Sequence, residues 1–157
     1  SAHAKRPAQS ETYEQLRALP LFDDLNDAQL WEVLRSCKWY QVSKGTVLIA
    51  EGAPAKSCYI LLAGEARVTQ QGRLINWMHP GTLFGELAFA DKNPSPRAAT
   101  VVAETPVTVG KWAYESLHRA SPELQTSMLK IFFRLAAERL RHADEQYLAL
   151  YRQVHQA

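Results

Sequence analysis

The sequence is poor in the residue that builds metal clusters and disulfide frameworks. Among 157 residues there are two cysteines, Cys37 and Cys58, and both lie in apolar stretches. Two thiols cannot supply the four thiolates of an iron–sulfur cluster. Their surroundings favour two buried free thiols in a reducing compartment over a disulfide.

Long apolar runs are also missing. No stretch approaches the roughly 18 residues that a membrane-spanning helix needs, and no secretory signal opens the chain. We therefore expect a cytoplasmic protein with no membrane partner. The formal net charge of +2 is too small to attract nucleic acid or a membrane surface through bulk electrostatics.

The chain lacks the side-chain groupings of an enzyme. Its five histidines are scattered, and none pairs with another at the ligand spacing that a metal-dependent cupin barrel would need. No nucleophile stands beside a base in a recognisable pattern. We expect no catalysis, no metal and no cofactor.

What is present is a helical start, a middle of short strands and a helical end. With 46% hydrophobic and 22% charged residues, the chain suits one globular domain. We predict a flexible tail over 1–10 and a single domain over 11–157. The domain is divided into N-terminal helices over 11–36, with Asn26 as an N-cap, a barrel over 37–111, and C-terminal helices over 112–155. Short β-rich runs punctuated by glycines predict a mainly β fold with flanking helices, in which an antiparallel jelly-roll barrel (a double-stranded β-helix) lies between short N-terminal helices and a long C-terminal helix. The runs 100–103 and 106–109 predict a final hairpin.

The last helix is signalled by Ser121 as N-cap, by Pro122 at the first helical position, and by the absence of glycine and proline afterwards. Apolar residues in it recur in alternating steps of four and three over about seven turns, which is typical of a coiled-coil seam. The seam comprises Leu129, Phe133, Ala136, Leu140, Ala143, Tyr147, Leu150 and Val154.

A second apolar stripe covers only the first half of this helix and comprises Leu124, Met128, Ile131, Phe132 and Leu135. We expect the stripe to pack on the barrel and the seam to form a homodimer. A monomer whose helix folds back over the barrel is the alternative. Arg134, Arg139 and Arg141 are interpreted as a solvated face rather than a phosphate site.

The segment 84–101 carries the chemistry. It holds one carboxylate, Glu86, and one guanidinium, Arg97, each among small or apolar residues that would let a ligand approach the backbone. Arg97 offers a charged fork suited to phosphate oxygens, and Glu86 can accept a hydrogen bond from a sugar hydroxyl. One helical turn over 85–89 would add free amides that favour an anion. From spacing alone, an ordinary surface ion pair between Glu86 and Arg97 is the competing interpretation.

The runs 84–88 (FGELA) and 96–101 (PRAATV) resemble the two halves of the phosphate-binding cassette of cyclic-nucleotide-binding domains. The runs 45–52 and 59–65 resemble the barrel strands of that family, as found in the regulatory subunit of cAMP-dependent kinase and the bacterial catabolite activator. The resemblance implies that Glu86 and the Gly85 amide hold the ribose 2′-hydroxyl. It also implies that Arg97, with amides near Ala88 and at Ala98 and Ala99, holds the cyclic phosphate. The full set of expected ligand-binding residues is Phe84, Gly85, Glu86, Leu87, Ala88, Arg97, Ala98, Ala99 and Thr100.

The resemblance leaves the base and the output less defined. Ala98 carries a methyl group where cGMP-selective relatives often carry a hydroxyl, which favours cAMP over cGMP. The segment 91–95 makes the link between the cassette halves somewhat long, and the partners of Asp91 and Lys92 are not predicted. We expect no direct DNA binding, because a helix-turn-helix has no room after the long helix. A dimerisation module of the same fold without a ligand, and the sensor part of a larger protein, are the remaining alternatives.

Overall fold

The computed structural model describes residues 4–156. Two helices open the described chain: α1 (Gln9–Arg17) and α2 (Asp27–Ser36), with a 3-10 turn at Pro20–Phe22 between them. The predicted N-cap is confirmed, because Asn26 and Gln29 each accept a hydrogen bond from the other's backbone amide in a capping box.

The predicted tail over 1–10 is more ordered than expected in its described part. Lys5 exchanges two backbone hydrogen bonds with Gln41, at 2.9 and 2.7 Å, and α1 begins at Gln9. Pairing with an exposed strand satisfies backbone groups that a free tail would leave to water. Residues 1–3 lie outside the described residues.

Within the described residues, eight strands form two antiparallel four-stranded sheets. The strands are β1 (Lys38–Val42), β2 (Val47–Ile49), β3 (Ser57–Ala63), β4 (Ala66–Gln70), β5 (Arg73–Met78), β6 (Leu83–Phe84), β7 (Thr100–Ala103) and β8 (Val107–Ala113). The first sheet has the order β1-β8-β3-β6 and the second β2-β7-β4-β5. Within residues 4–156 no strand pair joins the two sheets, so the mainly β fold is confirmed and the closed barrel stays a prediction.

The predicted final hairpin is wrong. β7 pairs with β2 and β4 in the second sheet, whereas β8 pairs with β1 and β3 in the first. The chain changes sheets at 104–106, where Pro106 has no amide to donate to a ladder. The β3–β4 connection changes sheets beside it, and Thr105 Oγ1 accepts from the Glu65 amide at 2.9 Å.

The central strand β3 of the first sheet is buried on both faces. Along β3, Cys58, Ile60 and Leu62 point to the helices, whereas Tyr59 and Leu61 point to the second sheet. Two apolar cores result, one under the helices and one between the sheets. Because β3 belongs to both cores, it fixes the position of the helices relative to the second sheet.

The chain ends in α3 (Tyr114–His118) and the 34-residue α4 (Pro122–His155). Ser121 caps α4 as predicted, since its Oγ accepts from the Leu124 amide at 3.2 Å, and the Glu32 carboxylate in turn accepts from Ser121. Leu124, Met128, Ile131 and Phe132 are buried, and residues 138–156 are all exposed. The helix therefore does not fold back over the sheets. None of the helices described between residues 4 and 156 is both long and apolar enough to span a membrane.

Gly64 sits at the corner where both connections change sheets, with φ +84°, and a Cβ there would overlap the carbonyl oxygen of Pro106. Gly72 has a similar φ of +78°, but a Cβ there would meet nothing within 4 Å. Gly72→Ala should lower the free energy of unfolding by about 1–2 kcal/mol for the left-handed backbone alone. Gly64→Ala should lower it by a further ~1–3 kcal/mol from steric overlap. Urea unfolding of the two variants measures the difference, and equal losses would contradict the close packing of the corner.

Candidate ligand-binding site

A cavity of about 220 Å³ lies between the two halves of the 84–101 segment and α4. Most of the residues singled out in the sequence line it. The lining comprises Ala55, Gly85, Glu86, Leu87, Ala88, Ser95, Pro96, Arg97, Ala98 and Arg139.

The first half of the segment turns sharply after β6. Gly85 adopts φ +79°, and its carbonyl oxygen accepts a hydrogen bond from the Tyr114 hydroxyl. Burial raises the pKa of Tyr114, so the hydroxyl keeps its proton and can donate. The predicted helical turn is present as a 3-10 helix at Leu87–Ala90. A Cβ on Gly85 would lie 3.0 Å from Arg97 Nη1, so the glycine leaves room for the guanidinium.

Arg97 is anchored by its backbone and by one side of its guanidinium. Its carbonyl accepts from the Gly52 amide and its amide donates to the Ala53 carbonyl, each at 2.8 Å. Nη2 donates to the Ser57 carbonyl, and the guanidinium carbon lies 5.9 Å from the centre of the Tyr59 ring. Within the described chain, Arg97 forms no ion pair with a carboxylate. The cavity therefore contains a guanidinium that is fixed in position by Ser57 and Tyr59 and has no acidic partner in the described chain.

Glu86 is the buried acceptor of the site. Its side chain is 0% exposed, and Oε1 accepts a hydrogen bond from Arg139 in an ion pair. Oε2 is buried and has no hydrogen-bond partner within residues 4–156. A buried oxygen without a partner is costly, so Oε2 is ready to accept a donor that enters the cavity. The competing interpretation is wrong: Glu86 and Arg97 line one cavity, but Glu86 pairs with Arg139 instead.

Arg139 is the site residue that the sequence interpretation missed, since it was assigned to a solvated face. Its guanidinium also donates to the Leu83 carbonyl at 3.3 Å. The signal was available: Arg139 follows Leu135 by four residues and Phe132 by seven, so it extends the buried stripe of α4 by one turn. Arg141 is exposed, as expected, and Arg134 is half-exposed with a 3.8 Å contact to Asp24.

Three of the predicted residues do not line the cavity. Phe84 stacks on Tyr59 in the core between the sheets, with ring centres 5.3 Å apart. Ala99 packs against the same core, and Thr100 Oγ1 accepts from the Glu51 amide at 3.0 Å. Their side chains hold the ends of the segment in place.

The prediction of two buried free thiols is confirmed. Burial, and then the neighbouring Glu86, raise the pKa of Cys58 to about 12, and burial raises the pKa of Cys37. Both thiols keep their protons at neutral pH and are poor nucleophiles and metal ligands. Among residues 4–156, no three His, Cys, Asp or Glu side chains come together as a metal site.

Known proteins resemble this chain in sequence. The regulatory subunit of cAMP-dependent protein kinase from Pyricularia oryzae is 34% identical over 107 residues, which cover 65% of this chain and 27% of that protein. The same subunit from Mycosarcoma maydis is 30% identical over 144 residues, covering 89% of this chain and 26% of that protein. The chain thus spans about a quarter of the length of these relatives.

The fold also has a solved counterpart. A cyclic nucleotide-binding domain from Methylobacillus flagellatus superposes with a TM-score of 0.75 at 23% identity, over 90% of this chain and 83% of that one. Residues 40–121 match the sequence pattern of the cyclic nucleotide-binding domain, and this range contains both halves of the segment that lines the cavity. The chain therefore belongs to the cyclic nucleotide-binding domain family.

Proposed function

We propose that this chain is a cAMP sensor that binds the nucleotide in the cavity between Glu86 and Arg97 and relays binding through α4. One observation carries the proposal: a fully buried carboxylate with a free oxygen shares a cavity with a guanidinium that has no acidic partner. A ligand that satisfies both groups needs a hydroxyl that donates to the Glu86 oxygen at one end and an anion that pairs with Arg97 at the other. A ribose cyclic phosphate has both.

At the ribose end, Oε2 of Glu86 accepts a hydrogen bond from the 2′-hydroxyl, and the Gly85 amide donates one to the hydroxyl oxygen. Glu86 cannot turn away, because its other oxygen is held by Arg139 and its side chain is enclosed. Preorganisation of this kind reduces the entropy lost on binding.

At the phosphate end, Arg97 meets the phosphate oxygens together with amides near Ala88 and at Ala98 and Ala99. The Ser57 carbonyl and the Tyr59 ring hold one side of the guanidinium, so the remaining donors stay in a fixed direction. A fixed fork forms two parallel hydrogen bonds to a phosphate.

For the base, cAMP is the preferred candidate and cGMP the alternative. Ala98 lines the cavity and offers a methyl group where a hydroxyl would be needed to meet the guanine amino group. The two relatives compared above are cAMP-dependent by name. Both arguments favour adenine.

The relay rests on Arg139, since it joins α4 to the carboxylate that receives the ribose. A ligand shifts a conformational equilibrium only through contacts that differ between two states. A ribose hydroxyl at Oε2 adds a ligand contact to the carboxylate that Arg139 holds through Oε1, so the ligand and α4 then share one group. We further expect the two sheets to close as a jelly-roll barrel around the bound nucleotide.

The seam of α4 supports a homodimer. Its large residues are exposed in the single chain, with Phe133 77%, Leu140 64% and Val154 66% exposed. An apolar stripe of this length is a candidate for burial against a second copy, because its 3.5-residue period suits a helix–helix interface.

Arg97→Ala should weaken cAMP binding about 30-fold or more, because removing one partner of a charge pair costs roughly 2–5 kcal/mol. Isothermal titration with cAMP and cGMP measures the affinities. Arg73→Ala, on the exposed face of β5, is the matched control and should bind as the wild type does. Unchanged cAMP affinity in a folded Arg97→Ala variant would remove the phosphate role.

Saturating cAMP should slow amide hydrogen exchange in 85–97 and in 132–140, and should leave 47–62 almost unaffected. In Arg139→Ala the cassette should still gain protection, but most of the gain in 132–140 should be lost, because the helix no longer contacts Glu86. Arg141→Ala, an exposed arginine on the same helix, is the control and should respond like the wild type. Wild-type protein with protection in the cassette alone would make the chain a passive binder.

Leu140→Asp should shift the protein from dimer to monomer, because it places a charge in an apolar interface. Sedimentation velocity measures the change, and circular dichroism checks that the sheets remain folded. Leu148→Asp is the control, since Leu148 is also exposed but lies off the seam. Wild-type protein that stays monomeric at high concentration would rule out the interface.

A further inference from the structure

A second and larger cavity lies at one end of the first sheet. Its volume is about 590 Å³, against about 220 Å³ for the cassette cavity, and the two share Ala55. Its walls come from the starts of β1 and β3, the end of β8, α3, and the segment 91–94 that joins the two cassette halves. Small-molecule sites commonly have volumes of about 300–1,000 Å³.

Four lysines line this cavity: Lys38, Lys56, Lys92 and Lys111. Within residues 4–156 none of them forms an ion pair with a carboxylate. The lining has fewer acidic residues than lysines, namely Asp91 and Glu115. Glu115 pairs with Arg119 at 3.1 Å, which leaves Asp91 as the other acid in the lining. The lining therefore holds four lysines against two acids, a formal excess of +2 that is as large as the net charge of the whole chain.

The sheet itself brings two of these charges together. Lys38 on β1 and Lys111 on β8 are direct antiparallel partners. Both are exposed and lie on the same face of the sheet, whereas their neighbours Trp39 and Trp112 are buried on the other face. Like charges directly opposite one another destabilise a sheet, and neither lysine has an ion-pair partner within residues 4–156 that would reduce this cost. An anion bound between them would remove it.

We propose that this cavity is a second ligand site, which takes a small anion carrying two or more phosphate groups. Each lysine ammonium is a compact charge with three donors and binds phosphate well. Four such groups around one concave space exceed what a single phosphate needs. A duplex or a membrane surface needs an extended basic face, whereas these lysines surround one concave space and the net charge of the chain is only +2.

The site has charged groups of its own, because Glu86 and Arg97 do not line it. It is nevertheless adjacent, since Asp91, Lys92 and Pro94 belong both to its wall and to the link between the cassette halves. This assigns a role to the part of the link that does not line the cassette cavity.

Inorganic tripolyphosphate is the probe, titrated calorimetrically at fixed ionic strength. The wild type should bind it, and Lys38→Ala/Lys111→Ala should bind it about tenfold more weakly or worse, because two charge-assisted contacts are removed. Lys44→Ala, an exposed lysine outside the cavity, is the matched control and should keep the wild-type affinity. Arg97→Ala should also keep it, since Arg97 belongs to the other cavity.

The double variant should unfold at the same temperature as the wild type or higher without ligand, because a repulsive pair is gone. This controls for loss of fold. The proposal fails if the wild type does not bind millimolar tripolyphosphate, if the double variant and Lys44→Ala bind it equally, or if Arg97→Ala abolishes the binding. The last result would locate the anion in the cassette.

Discussion

A carboxylate that is taken completely out of water must be given partners, and Glu86 is such a group. Its side chain is fully enclosed, yet Arg97 of the same segment does not form an ion pair with it in the described chain. Arg139 of α4 provides one. Loss of Arg139 would leave a buried carboxylate without its cation, which is destabilising. The position of α4 at this point is therefore tied to the charge of the cassette, although the helix is packed elsewhere by apolar contacts.

The apolar contacts set the frame within which this ion pair forms. The first sheet is covered by helices on one face and by the second sheet on the other, so its strands have little freedom to shift. β6 and β3 are partners in that sheet, with Tyr59 opposite Phe84, and the cassette leaves directly from β6. Arg97 returns against β3 through the Ser57 carbonyl. Both halves of the site are thus positioned by contacts with the same strand, β3.

The parts of the site that could be predicted are those whose information is local. Gly85, Glu86 and Arg97 lie in one short segment of the sequence. The helix caps at Asn26 and Ser121 could likewise be predicted from the residues that follow them directly. The hairpin of β7 and β8 was wrong because strand partners depend on the whole fold, and neighbours in sequence need not pair. Arg139 was missed for a related reason. It is 53 residues from Glu86, and its role depends on how α4 docks.

The exposed second half of α4 has a consequence for helix stability. Residues 138–156 are exposed in the single chain, although Arg139 at the start of this stretch reaches Glu86 and the Leu83 carbonyl. Most of the stability of a protein helix comes from packing of its apolar face, so this half is the part of α4 that should fray first. Association along the seam would supply the missing packing free energy. The helicity of this region would then rise with protein concentration, so that expression level would set the proportion of chains in which α4 is formed to its full length.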